Sequence, residues 1–245
     1  MRDLTHGHLL GGRVRYSQPR TGFRSGIEPV LLAAAVPARA GDHVLEAGTA
    51  AGAALLCLAA RVPGVSGVGV ELDPALCQVA RDNATANGFS ELSFTAGDIL
   101  GEPSGLFDHV FANPPYHREG TRSPDAAREV AKRSGDGQFD AWISVLARSV
   151  RARGTVTIIL PAALLPDCLH AMAAARCGGS VVLPLWPHRQ REAKLLIVRG
   201  VKDSRGPARL LPGLVLHADE GGFTREAEAI LRDGAALGFG GAPAE

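Results

Sequence analysis

The chain has 245 residues, 46% of them hydrophobic, and a formal net charge of +1. That suffices for one large α/β core or two small ones, and it argues against a histone-like polycation. No apolar run reaches the roughly 18 uncharged residues of a membrane helix. The start M-R-D-L-T-H-G-H lacks a signal peptide's apolar centre, so a cytoplasmic protein with no membrane partner is expected.

Residues 1–40 carry six arginines, Arg2, Arg13, Arg15, Arg20, Arg24 and Arg39, against Asp3 and Glu28, and include an expected helix over Glu28–Val36. Beyond them, short apolar runs alternate with alanine-rich stretches of helical period. The runs predict strands at His43–Ala47, Val68–Leu72, Leu92–Ala96, His109–Ala112, Thr155–Leu160, Ser180–Leu183 and Lys194–Val198. The stretches predict helices at Ala50–Arg61, Pro74–Asn87, Phe139–Val150 and Leu164–Arg176. Asp73-Pro74 reads as an N-cap with a first-turn proline, and Asn87-Gly88 as the same helix's stop. Strict alternation implies parallel strands, crossover helices and a sheet covered on both faces. The segment His117–Gln138 is polar and without period, as a functional or partly disordered loop is. Cys57, Cys77, Cys168 and Cys177 show no C-x-x-C spacing and read as buried hydrophobes in a reducing compartment. A second basic region spans Arg189–Arg205, and the last 28 residues are acidic. Such asymmetry fits either a polyanion-facing side or ordinary solvated faces.

The first strand, H-V-L-E-A, runs into G-T-A-A-G and then a helix, a turn that lets backbone amides approach a ligand. The dinucleotide fingerprint fails here, because its second and third glycines would fall on Ala50 and Ala53. What fits is an acid followed by two glycines: Glu46, Gly48 and Gly52. An acid is unwelcome beside a pyrophosphate but suits an ammonium group, and S-adenosylmethionine carries an ammonium, a ribose and an adenine without a phosphate. Glu71, at the end of the next strand, is placed to accept from the ribose hydroxyls. After the third strand, Asp98 is placed to accept from the adenine amino group, or to cap the following segment, with Ile99 against the ring.

The fourth strand ends in F-A-N-P-P-Y-H. Two prolines cannot donate to a sheet ladder and disfavour helix before them, so the strand must stop at Ala112. A rigid, extended turn follows, carrying the amide of Asn113 and the ring of Tyr116.

With Glu46, Gly48, Gly52, Glu71, Asp98 and Asn113-Pro114-Pro115-Tyr116 in this order, the chain resembles the class I S-adenosylmethionine-dependent methyltransferases that modify planar amino groups. More closely it is similar to the bacterial tRNA(Val) adenine-N6 methyltransferases, through Gln18–Ala34, the N-P-P-Y-H-R-E-G turn and L-V-L-H-A-D-E-G-G-F-T at Leu214–Thr224. The resemblance implies a Rossmann-like seven-stranded sheet with helices on both faces and one antiparallel strand. It divides the chain into a basic segment and helix over the cofactor and substrate site (1–40), a methyltransferase domain (41–235) and a frayed tail (236–245). Ala50 stands where such enzymes commonly carry glycine, and Glu46 where aspartate is usual. Alanine fits the turn only with negative φ, so a slightly displaced cofactor loop is expected.

In this reading the Asn113 side-chain carbonyl and the Pro114 backbone carbonyl accept the two N–H bonds of an adenine N6 amine and aim its lone pair at the sulfonium methyl. Tyr116 stacks on the base, a contact worth about 1–3 kcal/mol. No metal is called for, and none of the eight histidines shows ligand spacing. The expected partner is RNA, most naturally tRNA near the anticodon, where single-stranded bases are splayed out cheaply. His117, Arg118, Arg122 and the two basic regions are available for phosphate contacts, whether the protein is a monomer or a homodimer. The alternatives are a release-factor-type glutamine N5-methyltransferase and a noncatalytic RNA-binding module. The first is disfavoured because only about forty residues precede the first strand, where such enzymes carry a separate helical domain.

Overall fold

The computed structural model describes residues 3–21, 25–101, 105–114 and 138–239. A hairpin opens the fold: β1 (Leu4–Leu9) pairs antiparallel with β2 (Val14–Pro19) from Leu4↔Pro19 to Leu9↔Val14. Next comes α1 (Glu28–Ala35), whose seven residues after Glu28 are all buried, so it is a core helix without a solvent face.

The main sheet then builds by alternation. Its elements are β3 (His43–Ala47), α2 (Ala53–Arg61), β4 (Ser66–Glu71), α3 (Pro74–Ala86), β5 (Leu92–Ala96), β6 (Phe107–Ala112), α4 (Gln138–Ser149) and β7 (Val150–Pro161). After these come α5 (Leu165–Ala174), β8 (Cys177–Trp186), β9 (Leu195–Lys202), β10 (Arg209–Leu210), β11 (Leu214–Val215) and α6 (Arg225–Asp233). The strand order is β10-β8-β9-β7-β6-β3-β4-β5, with β11 also on β8. Only β9 runs antiparallel, to both β7 and β8. The seven expected strands, β3 to β9, are all present, and two-residue β10 and β11 extend the sheet to nine.

Alternate residues along each strand feed opposite faces. Val44, Phe111 and Ile159 pack under α1, α2, α3 and α6, whereas Leu45, Val110, Ala112 and Ile158 pack under α4 and α5. The capping expectations hold on α3, where the Asp73 side chain accepts from the Ala75 and Leu76 N–H groups and Gly88 adopts a φ of 71°. All four cysteines are buried and free. The sequence reading missed α6 and the hairpin. The inward residues are Leu4 and Leu9 at the two ends of β1 and Val14, Tyr16 and Pro19 on β2, too sparse for a strand signal. Helix α2 begins three residues later than expected, because Ala50 to Gly52 belong to the preceding loop.

Several arginines of the basic regions are structural. Arg13 donates to the Asp233 and Ala60 carbonyls, and Arg199 donates to the Ala35 carbonyl while stacking 4.0 Å from the Phe239 ring centroid. Among the described residues, no helix is long and apolar enough to cross a membrane.

Candidate cofactor and substrate site

Parallel strands β3, β4, β5 and β6 all end at one edge of the sheet, and their tips carry Glu46, Glu71, Asp98 and Asn113 respectively. In strand order this is a row from Asp98 through Glu71 and Glu46 to Asn113. At a strand spacing near 4.8 Å the row spans roughly 14 Å. It lies where the order turns from β3-β4-β5 to β6-β7, the position at which open α/β sheets leave a crevice. A cleft of about 310 Å³, its open mouth included, occupies that position. Glu46, Gly48, Thr49, Ala50 and Asn113 line it from the strand tips, and Ser25, Pro29 and Leu32 close it from the N-terminal segment.

Two carboxylates organise the loop between β3 and α2. Glu46 is 5% exposed, and its Oε2 accepts from the Thr49 hydroxyl at 2.6 Å and from the Leu55 N–H in the first turn of α2 at 3.0 Å. Burial pushes the Glu46 carboxyl up to about 8, against those two hydrogen bonds and with a further push from Glu71. Both bonds use one oxygen, so Oε1 is the one that could meet a cationic group. Glu71 is held from both sides: Oε2 accepts from the Ala50 N–H at 2.8 Å and Oε1 from the Asp73 N–H at 2.9 Å. That fixes the carboxylate plane and leaves a second lone pair on each oxygen, the geometry a ribose diol needs.

Glycine is required at Gly48 and Gly52 for reasons of the fold as well as of any ligand. Their φ values are 69° and 88°, and an added Cβ would sit 3.2 Å from the Trp142 ring at Gly48 and 3.3 Å from Ala80 and Phe94 at Gly52. Ala50 overturns its expectation: its φ is +49°, not negative. The loop needs a left-handed residue there, and the Glu71 carboxylate holds the Ala50 N–H in that orientation. A left-handed L-residue costs roughly 1–2 kcal/mol, more than the roughly 0.4–1 kcal/mol a glycine adds to unfolded-state entropy. Ala50→Gly is therefore expected to raise Tm by about 2 °C; a lower Tm in differential scanning calorimetry would show that the alanine methyl's contacts outweigh the strain.

At β5, Asp98 is exposed and its Oδ1 caps the Leu100 N–H at 2.9 Å, while Ile99 is buried among the second face's core residues. Asn113 sits directly after β6 in the cleft wall, followed by buried Pro114. Pro115, Tyr116, His117, Arg118 and Arg122 lie outside the described residues. Thr49 and Ser25 were missed in the sequence; the only signal for Thr49 was its position three residues after the acid, within hydrogen-bond reach of it.

This sheet order, with a crevice at the strand tips lined by Glu46 and the glycine loop, is a Rossmann-like fold of the methyltransferase kind. Residues 27–137 match the model of the methyltransferase small domain. A predicted O-methyltransferase from Agrobacterium tumefaciens superposes with a TM-score of 0.71 over 85% of this chain and 97% of its own, at 22% identity. A SAM-dependent O-methyltransferase from Thermotoga maritima gives 0.56 over 76% of this chain and 69% of its own, at 15% identity. In sequence, the chain is 28% identical over 227 residues to a Porphyromonas gingivalis protein named tRNA1(Val) (adenine(37)-N6)-methyltransferase, covering 86% of this chain and 89% of that one. It is 26% identical over 223 residues to the protein of the same name from Dickeya chrysanthemi, covering 87% and 88%. The chain is an S-adenosylmethionine-dependent methyltransferase.

Proposed function

We propose that the enzyme transfers the methyl group of S-adenosylmethionine to the exocyclic N6 amine of an adenine in RNA, with tRNA near the anticodon as substrate. The observation that carries the reading is the placement of Asn113: an amide, stiffened by Pro114, in the wall of the same cleft as Glu46 and Gly48. The names of the curated relatives support it from a second direction.

The residues present fit the cofactor. Glu46 would take the ammonium through Oε1, Glu71 the ribose hydroxyls, and Asp98 the adenine amine with Ile99 beneath the ring. Gly48 and Gly52 give the loop its close approach. When bound, the cofactor supplies an electrophilic methyl on a sulfonium and needs no metal. The chain must hold the nucleophile. An adenine N6 lone pair is delocalised into its ring, so acceptors on both N–H bonds, the Asn113 Oδ1 and the Pro114 carbonyl, draw density back onto nitrogen and fix its direction. Such positioning and electrostatics can supply roughly 7–11 kcal/mol of barrier reduction. Tyr116 stacks the base. In this reading residues 1–40 cover the cofactor and substrate site, with Ser25, Pro29 and Leu32 already at its wall, and residues 41–235 form the catalytic domain.

Incubation with bulk tRNA and methyl-labelled cofactor tests this directly. Label is expected in N6-methyladenosine from one anticodon-loop position. Label confined to protein glutamine, or to guanosine, would overturn the substrate assignment.

A further inference from the structure

Asn83 in α3 and Asn87 at its C-cap lie four residues apart, and Arg15 and Ser17 lie two apart on β2. Four residues of helix rise about 6.0 Å and two of strand about 6.7 Å, so the two spacings match. Each asparagine treats its strand partner as a neighbouring strand would. Asn83 accepts from the Ser17 N–H at 2.9 Å and donates to the Ser17 carbonyl at 2.9 Å. Asn87 accepts from the Arg15 N–H and donates to the Arg15 carbonyl, both at 2.8 Å. The pair thus closes the free edge of a two-stranded hairpin that would otherwise expose its backbone groups.

The two asparagines differ in what else they bond: Asn87 Nδ2 also donates to the Asn83 carbonyl at 2.7 Å, within the end of α3. Asn83, 3% exposed, also donates through Nδ2 to the Ala51 carbonyl at 3.0 Å, in the loop that Glu46 and Glu71 organise. From the strand side the connection continues to the opposite wall of the cleft. The Tyr16 hydroxyl meets the Ser25 Oγ at 2.9 Å, Gln18 Oε1 accepts from the Ser25 N–H at 2.9 Å, and Ser25 lines the cleft. One buried amide therefore joins both walls of the cofactor cleft.

We propose that Asn83 is a positioning residue for S-adenosylmethionine: by bonding the Ala51 carbonyl and Ser17 together it sets the distance between the glycine loop and the N-terminal wall. Asn87 docks the hairpin and closes the end of α3, with no bond to the glycine loop. The proposal depends on the cofactor and not on which nucleic acid or protein is methylated, so it stands or falls separately from the substrate.

The test is the affinity for S-adenosylhomocysteine, the demethylated cofactor, measured by calorimetry on full-length Asn83→Ala and Asn87→Ala, with Tm measured alongside. Both variants lose hairpin bonds, so both are expected to melt earlier. Only Asn83→Ala is expected to bind the ligand about tenfold more weakly, the value of roughly one buried hydrogen bond. Equal weakening in the two variants would mean that hairpin docking alone supports the cofactor, and wild-type affinity in Asn83→Ala would remove the role altogether; either result overturns the proposal. Should Asn83→Ala fail to fold, the near-isosteric and uncharged Asn83→Leu refills the volume and gives up the acceptor and both amide donors. The same tenfold weakening is expected of it, and unaltered binding would refute the assignment.

Discussion

Asn113→Ala is expected to keep its fold and its affinity for S-adenosylhomocysteine while losing about 10²–10³ in kcat, the usual cost of one preorganised polar group at a reacting centre. The side chain follows the last residue of β6 and reaches into the cleft without belonging to either core cluster, so its removal opens no cavity in the core. What disappears is an acceptor that has little to do until the amine becomes more acidic during transfer. Such an interaction lowers kcat and kcat/KM together. Asn113→Asp retains an acceptor oxygen and should lose less than the alanine variant. Single-turnover transfer of labelled methyl to bulk tRNA reads both; wild-type turnover in the alanine variant would remove Asn113 from the mechanism.

The second large effect is expected at Glu46, with opposite signs on stability and on binding. Burial raises this carboxyl from 4.5 to about 8, so the fold favours its neutral form. A raised acid costs the folded state progressively as pH rises above the unfolded value near 4.5, up to its own value near 8. In Glu46→Gln that dependence vanishes. One amide oxygen can still accept from both Thr49 and Leu55, because both bonds fall on the same carboxylate oxygen. The variant should therefore match wild type near pH 4 and melt on the order of 10 °C higher by pH 8. Cofactor binding moves the other way. The ammonium favours the ionised carboxylate, so wild-type affinity should climb between pH 6 and 7.5 as binding displaces a proton. The glutamine variant should lack this slope and bind at least roughly 30-fold more weakly at pH 7.5, from the loss of a partly buried charge pair. Calorimetry in two buffers of different ionisation enthalpy would detect the released proton. Flat affinity in the wild type would mean that the ammonium is held elsewhere.

The parallel strands were readable because they carry apolar residues either in a continuous run, as in β3, or in alternation, as in edge strand β5, and the stops were readable because Asp73-Pro74, Asn87-Gly88 and Asn113-Pro114 carry their signals locally. Glu46, Gly48 and Asn113 could be chosen for the same reason: their signal comes from standing at a strand's last residues or just past its end. The left-handed Ala50 could not be read, since a favourable backbone rule was outvoted by a bond from Glu71, 21 residues away. Nor could the structural employment of Arg13, whose carbonyl partners on Ala60 and Asp233 are 47 and 220 residues distant.

The sequence by itself determined the alternation of strand and helix and the residue types presented at the strands' carboxyl ends, because periodicity, capping and proline geometry act over a few neighbouring residues. Only the tertiary structure decided that β1 and β2 form a hairpin docked on α3, that Asn83 bridges two walls of the cleft, and that Glu46 is buried deeply enough to prefer its proton. Those outcomes depend on desolvation and on hydrogen bonds between segments 32 to 72 residues apart, and such partners leave no periodic trace along the chain.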